Sequence, residues 1–213
     1  MPMRSPLIAM LLVCLPAAAQ AHEVWIERDG TGPARIYLGE PGEPLPAGGD
    51  PEFAKLKAPR IVGQPAAVLT RRTGFLETRL PAGDVRATDD SVFAPWGEDG
   101  KKEGVVYYAR AGRAEPSAAL PFELAPVTAN GTRFVLTRDG KPLPGAPVLL
   151  YAPDRSKTEL TTDAAGTIDA AGARPGRYLL VASKTETGPV TLPGGVVNTV
   201  YRITTTSFVA GRK

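Results

Sequence analysis

Histidine and cysteine are almost missing from this chain of 213 residues, which contains one residue of each. The single cysteine, Cys14, lies in an apolar segment near the start. Disulfide bonds and thiolate metal sites are therefore excluded from the rest of the chain. With one histidine and no later cysteine, the usual serine and cysteine nucleophile systems lack their base or their thiol. We therefore expect a protein that is not an enzyme.

Long runs of charge and long apolar runs are also missing. The chain has 25 Lys and Arg residues against 22 Asp and Glu, and nowhere do five or six basic residues cluster. This balance argues against a nucleic-acid partner. No segment after residue 21 reaches the roughly 18 apolar residues that a membrane helix needs, so we expect no transmembrane segment in the mature protein.

Residues 1–21 have the layout of a secretory signal peptide. Arg4 supplies the positive start, residues 6–16 form a short apolar run, and small residues follow. The small-x-small rule for signal peptidase allows cleavage after Ala19 or after Ala21, and we favour Ala21. The sequence therefore predicts a secreted, periplasmic protein.

Glycine (23 residues) and proline (22 residues) punctuate short apolar runs along the whole chain. This pattern favours strands joined by turns over helices, and the spacing of the strands is typical of an immunoglobulin-like β-sandwich. We therefore predict an all-β fold. The predicted strands cover residues 24–27, 35–38, 66–70, 74–80, 105–111, 132–137, 146–151, 158–162, 167–169, 177–183 and 200–208.

Composition divides the chain into three predicted parts. Residues 1–21 are the signal peptide, residues 22–122 an N-terminal β-rich domain, and residues 123–213 an immunoglobulin-like sandwich domain. The first domain contains a long loop at residues 39–59, rich in Pro and Gly, with a short helical turn near residues 51–56. A hairpin is expected to turn at residues 71–73, which places two arginines at its tip.

His22 is the candidate metal ligand of this sequence. Cleavage after Ala21 would place its new α-amino group beside its imidazole, and the two nitrogens could chelate one divalent ion. Cleavage after Ala19 would make histidine the third residue, which suits a square-planar arrangement for Ni²⁺ or Cu²⁺. Alternatively, His22 simply begins the first strand while Trp25 packs into the core.

Any further ligand must be a carboxylate, a backbone atom or water, because no second histidine exists. Glu23 is nearest in sequence, and we predict it as the second metal-binding residue. Asp89-Asp90 and Glu98-Asp99 are the other candidate carboxylates. Nitrogen ligands suit Ni²⁺, Co²⁺ and Cu²⁺, with affinity rising toward copper.

Several segments in this order resemble a family of bacterial periplasmic proteins, largely of unknown function, that is grouped with cobalt and nickel uptake components. The resemblance implies a β-rich periplasmic protein that binds or hands over a transition metal, with His22 as the matching residue. The segments are residues 21–27 (AHEVWIE), 36–40 (IYLGE), 105–109 (VVYYA), 138–143 (RDGKPL), 161–166 (TTDAAG) and 176–180 (GRYLL).

Two functions follow as hypotheses. In the first, the protein binds a nickel, cobalt or copper ion through the mature N-terminal His22, in association with metal uptake, and a membrane metal transporter receives the ion. In the second, the β-sandwich is an interaction or structural module of the cell envelope that displays loops such as residues 39–59 and binds no metal.

Overall fold

The computed structural model describes residues 22–171 and 174–211, and these residues form an all-β protein. Their only helix is a single 3₁₀ turn, Phe53–Lys55. The all-β prediction is therefore confirmed. The first seven strands are β1 (Glu23–Glu27), β2 (Ala34–Gly39), β3 (Arg60–Ile61), β4 (Thr70–Arg72), β5 (Phe75–Thr78), β6 (Val85–Asp89) and β7 (Glu103–Ala111). The others are β8 (Phe122–Pro126), β9 (Arg133–Arg138), β10 (Lys141–Pro142), β11 (Pro147–Tyr151), β12 (Lys157–Thr161), β13 (Thr167–Asp169), β14 (Gly176–Leu192) and β15 (Gly195–Ala210).

A seven-stranded sheet in the order β12-β11-β14-β15-β7-β6-β3 forms the centre of the molecule. A four-stranded sheet, β1-β2-β5-β4, packs on one of its faces. A second small sheet, β10-β9-β13 with β8 paired to β9, packs on the other face. The fold is thus a β-sandwich of three layers with two apolar cores.

Strand β7 shows why this central sheet forms. Its segment VVYYARA is rich in β-branched and aromatic residues, which favour extended backbone. Because side chains alternate along a strand, Val105 and Tyr107 enter the core shared with β1 and β2, whereas Val106 and Tyr108 enter the core shared with β8 and β9. Every residue from position 104 to 111 is buried, as expected for a strand covered on both faces.

Some predicted strands agree with the structure, and others differ from it in their bounds. The predicted first pair is present, with Val24 opposite Leu38 and Ile26 opposite Ile36. The predicted turn at residues 71–73 is wrong, because Arg71 and Arg72 lie in β4 and the chain turns after them. Strands β3, β6, β8 and β10 have no counterpart among the predicted strands, and β14 and β15 are far longer than predicted.

The predicted domain boundary between residues 122 and 123 falls inside β8. Strand β7, from the N-terminal side of that boundary, pairs in parallel with β15 from the C-terminal side, from Glu103 opposite Thr199 to Ala111 opposite Ser207. The two predicted domains therefore do not have separate sheets. The division into two domains and the immunoglobulin-like topology stay predictions.

No helix in residues 22–171 and 174–211 has the length and apolarity to cross a membrane.

Candidate metal-binding site at His22

The predicted signal peptide, with both cleavage positions Ala19 and Ala21, lies outside the described residues. His22 is the first described residue, and it directly precedes β1. Its side chain is about one quarter exposed. The position of β1 therefore determines where the imidazole lies.

Hydroxyl groups of the central sheet hold β1 in place. Thr205 Oγ1 donates a hydrogen bond of 2.8 Å to the carbonyl oxygen of Val24. Ser207 Oγ donates in the same way to the carbonyl oxygen of Ile26. Both hydroxyls belong to β15 and are fully buried. Because β1 is an edge strand of its own sheet, these bonds give its buried carbonyl groups partners from the central sheet.

Two carboxylates from the loop after β2 face the imidazole of His22. Asp50 Oδ2 lies 3.2 Å from Nε2, and Glu52 Oε2 lies 3.8 Å from Nδ1. The Asp50 side chain is 9% exposed and the Glu52 side chain 34% exposed, so the site opens toward solvent on the Glu52 side. The structure thus brings two acidic groups to opposite nitrogens of one ring.

Close backbone contact fixes the start of this acidic segment. Gly49, with φ +85°, packs so tightly on Gly74 that a Cβ atom at Gly49 would lie 2.2 Å from the Gly74 Cα. Asp50 then accepts a hydrogen bond of 2.7 Å from the backbone N–H of Glu52 through Oδ1, which leaves Oδ2 directed at His22. The glycine pair therefore places Asp50 beside the imidazole.

The 3₁₀ turn that follows is anchored by apolar and cationic contacts. Phe53 and Leu56 are buried in the core beneath β1 and β2. The Arg71 guanidinium stacks 4.6 Å from the centre of the Phe53 ring and donates a hydrogen bond to the carbonyl oxygen of Leu56. Arg71, predicted to lie in the turn of a hairpin, is an exposed residue of β4 and holds the segment that supplies Asp50 and Glu52.

A lysine belongs to the same cluster. Lys55 Nζ donates a hydrogen bond to Glu52 Oε1 and lies 4.6 Å from the centre of the Phe93 ring. The Phe93 ring in turn lies 6.3 Å from the His22 ring. Glu52 therefore faces a lysine through one oxygen and a histidine through the other.

A tyrosine of the central sheet lies beneath this cluster. Burial, followed by the charges of Glu23, Glu52 and Asp89, raises the pKa of Tyr107. Its ring packs 6.4 Å from the ring of Phe93. The phenol therefore stays neutral beneath the site.

Glu23, the second predicted ligand, is directed into a different space. Its side chain lines a cleft of about 700 Å³ together with Glu40, Tyr151 and Lys157. Burial, and then the nearby charge of Glu40, raises the pKa of Glu23 to about 8. The carboxylates that the structure brings to His22 are Asp50 and Glu52, and the participation of Glu23 stays a prediction.

The other predicted carboxylates have partners of their own. Asp89 is buried in β6 and accepts two hydrogen bonds from Ser91 through Oδ1. Asp90 forms a two-pronged contact with Arg60 at 3.0 and 3.2 Å. Asp99 is fully exposed beside Lys102. Asp89 and Asp99 thus contact neighbouring residues of the chain, and Asp90 contacts β3.

The arrangement at His22 is an open set of donors and not a closed metal cage. Within residues 22–171 and 174–211, no group of three His, Cys, Asp or Glu side chains has the geometry to hold a metal ion. The imidazole and the Glu52 carboxylate beside Nδ1 are a nitrogen and an oxygen donor of the kind that divalent transition ions accept, whereas Asp50 lies at the opposite nitrogen, Nε2. A complete site would need a further donor, such as the α-amino group that cleavage after Ala21 would create.

Comparison of the chain with protein-family models, curated proteins and solved structures finds no match. The resemblance to the cobalt and nickel uptake group therefore stays a prediction. Sequence reasoning missed Asp50 and Glu52 because they lie in a loop with no periodic pattern. The only local signal was the acidic pair flanking Pro51 directly after two glycines.

Proposed function

We propose that the processed protein captures a divalent transition ion, Ni²⁺, Co²⁺ or Cu²⁺, at His22 in the periplasm and passes it to a membrane transporter. The observation that carries this proposal is the position of Glu52 Oε2, 3.8 Å from Nδ1, which is the ring nitrogen that would form a chelate with the α-amino group. Asp50 faces the opposite nitrogen, Nε2, where a carboxylate can orient the ring. The proposed role is binding and transfer, without catalysis.

The charges of the site favour a dication. The Glu52 carboxylate lies beside the nitrogen that would bind the ion, and Asp50 adds a second negative charge at the opposite ring nitrogen. The imidazole supplies a nitrogen ligand. The His22 side chain is about one quarter exposed, which gives the ion a path from solvent. Cleavage after Ala21 would add the α-amino group as a second nitrogen, which strengthens binding through a chelate ring. Cleavage after Ala19 would instead recruit backbone amides for a square-planar site.

The test is a calorimetric titration of the protein beginning at His22 with Ni²⁺, Co²⁺ and Cu²⁺. The variant carrying both Asp50→Asn and Glu52→Gln should bind each ion at least tenfold more weakly. Glu98→Gln, which removes an exposed carboxylate of another loop, is the matched control and should leave the affinity unchanged. A form with one extra residue ahead of His22 should lose the chelate and bind more weakly. Equal affinity in all four proteins would refute the proposal.

A second candidate is an immunoglobulin-like interaction module of the cell envelope that binds no metal. Its support is the pairing of Glu52 with Lys55, which already compensates one carboxylate of the cluster. Absence of binding for all three ions, in the protein that begins at His22, would favour this module.

A further inference from the structure

A cleft of about 700 Å³ opens over the end of the central sheet that β1 does not cover. Strand β1 lies over β15, as the hydrogen bond from Thr205 to the Val24 carbonyl oxygen shows. Strands β14, β11 and β12 follow beyond β15 in the sheet, and the apolar floor of the cleft includes Leu149, Val181 and Ile203. This volume is typical of sites for small molecules.

The loop after β2 crosses the cleft. Gly42 lies so close to Tyr151 that a Cβ atom at Gly42 would be 3.3 Å from Cε1 of the ring. A neighbouring cleft of about 350 Å³ shares four lining residues with the larger one, namely Pro41, Glu43, Tyr151 and Arg155. The two clefts therefore form one groove, which the loop bridges at Tyr151.

Charged side chains of both signs line the larger cleft. The acidic ones are Glu23, Glu40, Glu43 and Glu159, and the basic ones are Arg155 and Lys157. In the part of the chain that the structure describes, none of these six side chains takes part in an ion pair. The cleft is thus complementary in charge to a ligand that carries both signs.

Tyr151 separates acidic groups on the inner side from a lysine on the outer side. Burial, followed by the charges of Glu23 and Glu40, raises the pKa of Tyr151, so both carboxyl groups lie near its ring. Lys157 of the edge strand β12 is the direct partner of Tyr151 across the strands. Side chains of such partners share one face of a sheet. An apolar ring therefore lies between groups of opposite charge.

We propose that this groove binds a zwitterion with an apolar body, a short apolar peptide or a free apolar amino acid. The ammonium group of the ligand contacts Glu40, and the Glu23 carboxyl group beside it supplies a further acceptor oxygen. The carboxylate of the ligand contacts Lys157, and the apolar part lies on the floor of the cleft. This inference is independent of ion capture, because none of these contacts involves His22.

The test is a heteronuclear NMR titration of the isotope-labelled protein beginning at His22 with leucyl-leucine and with free leucine. Shifts should be confined to β11, β12, β14 and the loop at residues 40–43. The acetylated form of each ligand lacks the ammonium group, and the amidated form lacks the carboxylate. Each should bind about fivefold more weakly or worse, because it loses a hydrogen bond between charged groups. Tighter binding of leucyl-leucine would identify a peptide site, and tighter binding of leucine an amino-acid site.

Charge variants locate the two ends of the ligand. Glu40 is half-buried, so Glu40→Gln should weaken binding of leucyl-leucine about tenfold. Lys157 is exposed, so Lys157→Met should weaken it about two- to fivefold. Glu98→Gln and Lys101→Met remove exposed charges of the same signs from another loop and should leave the affinity unchanged.

Four results would each overturn the proposal. The first is absence of binding by both zwitterions at millimolar concentration. The second is equal affinity for a zwitterion and its amidated form, since the basic side chains would then contribute nothing. The third is a loss in Glu98→Gln as large as that in Glu40→Gln, because the effect would then be general electrostatics. The fourth is a set of shifts centred outside the groove.

Discussion

The hydroxyl of Thr205 donates a hydrogen bond of 2.8 Å to the carbonyl oxygen of Val24, two residues after His22. Replacing Thr205 with Val keeps the shape of the side chain but leaves this buried carbonyl without its donor. We expect Thr205→Val to lower the free energy of unfolding by about 1–3 kcal/mol, measured by urea denaturation.

The adjacent residue supplies the control for this change. Thr204 is equally buried, but its Oγ1 has no hydrogen-bond partner in the described part of the chain. Burying a hydroxyl without a hydrogen bond costs free energy. Thr204→Val removes this hydroxyl, so it should leave the free energy of unfolding unchanged or raise it slightly. Equal losses in the two variants would show that the hydrogen bond to β1 contributes nothing.

Glu123 joins two arginines in the interior. Its Oε1 accepts hydrogen bonds of 2.7 Å from both Arg86 and Arg110, and its Oε2 accepts from the backbone N–H groups of Ala119 and Leu120. Glu123 and Arg110 are fully buried. Glu123→Gln removes the charge that the two arginines share, although Arg110 keeps its contact with Asp84 and Arg86 keeps its contact with Glu115. Because hydrogen bonds to a charged group are weakened, we expect a loss of about 1.5–3 kcal/mol in the free energy of unfolding.

The exposed pair of Glu77 with Arg72 is the control for Glu123. The side chains are 20% and 52% exposed, and the closest contact is 3.0 Å. Glu77→Gln should cost less than about 1 kcal/mol, because water screens the pair. Denaturation curves of the two variants should therefore differ clearly. A similar small shift in both would show that the buried network contributes no more than a surface ion pair.

Sequence reasoning succeeded where the information was local. The pairing of β1 with β2, the strand β7 and the small strands β11 to β13 follow from β-branched runs between turns of Gly, Pro and Asp. The parallel pairing of β7 with β15 could not be foreseen in this way, because it joins segments far apart in the chain. The same is true of Arg110, whose burial depends on Glu123 from the next strand.

The candidate site shows the same limit. His22 was found because it is the only histidine, which is a property of composition. Asp50 and Glu52 were missed because their position depends on contacts between distant segments, namely Gly49 on Gly74 and Arg71 on Phe53. Glu23 was chosen for its nearness in sequence, but its side chain lines a separate cleft with Glu40 and Tyr151.

Glu23 should make the stability of the protein fall as pH rises. Burial and the charge of Glu40 raise its pKa from 4.5 to about 8, so between these values the folded protein holds a proton that the unfolded chain has lost. The free energy of unfolding then decreases with pH, with a slope of up to about 1.4 kcal/mol per pH unit from this group. Glu23→Gln cannot ionise, so it should match the parent protein at pH 4.5 and exceed its stability at pH 9. Parallel pH profiles for the two proteins would contradict this expectation.

Glu186 should act in the opposite direction in acid. It connects Arg138 of β9 with Arg202 of β15, with closest contacts of 2.6 Å to each. Hydrogen bonding from Arg138 is the first cause that lowers the pKa of Glu186, which falls from 4.5 to about 2. Between these values the unfolded chain binds a proton that the folded protein does not, so the stabilisation is complete above pH 4.5 and is lost as pH falls toward 2.

Because the ion pairs of Glu186 are partly solvated, we expect Glu186→Gln to lower the free energy of unfolding by about 1 kcal/mol at pH 7. This difference should disappear near pH 2 in urea denaturation measured across this range, and a constant difference at all pH values would assign the effect to packing instead of charge.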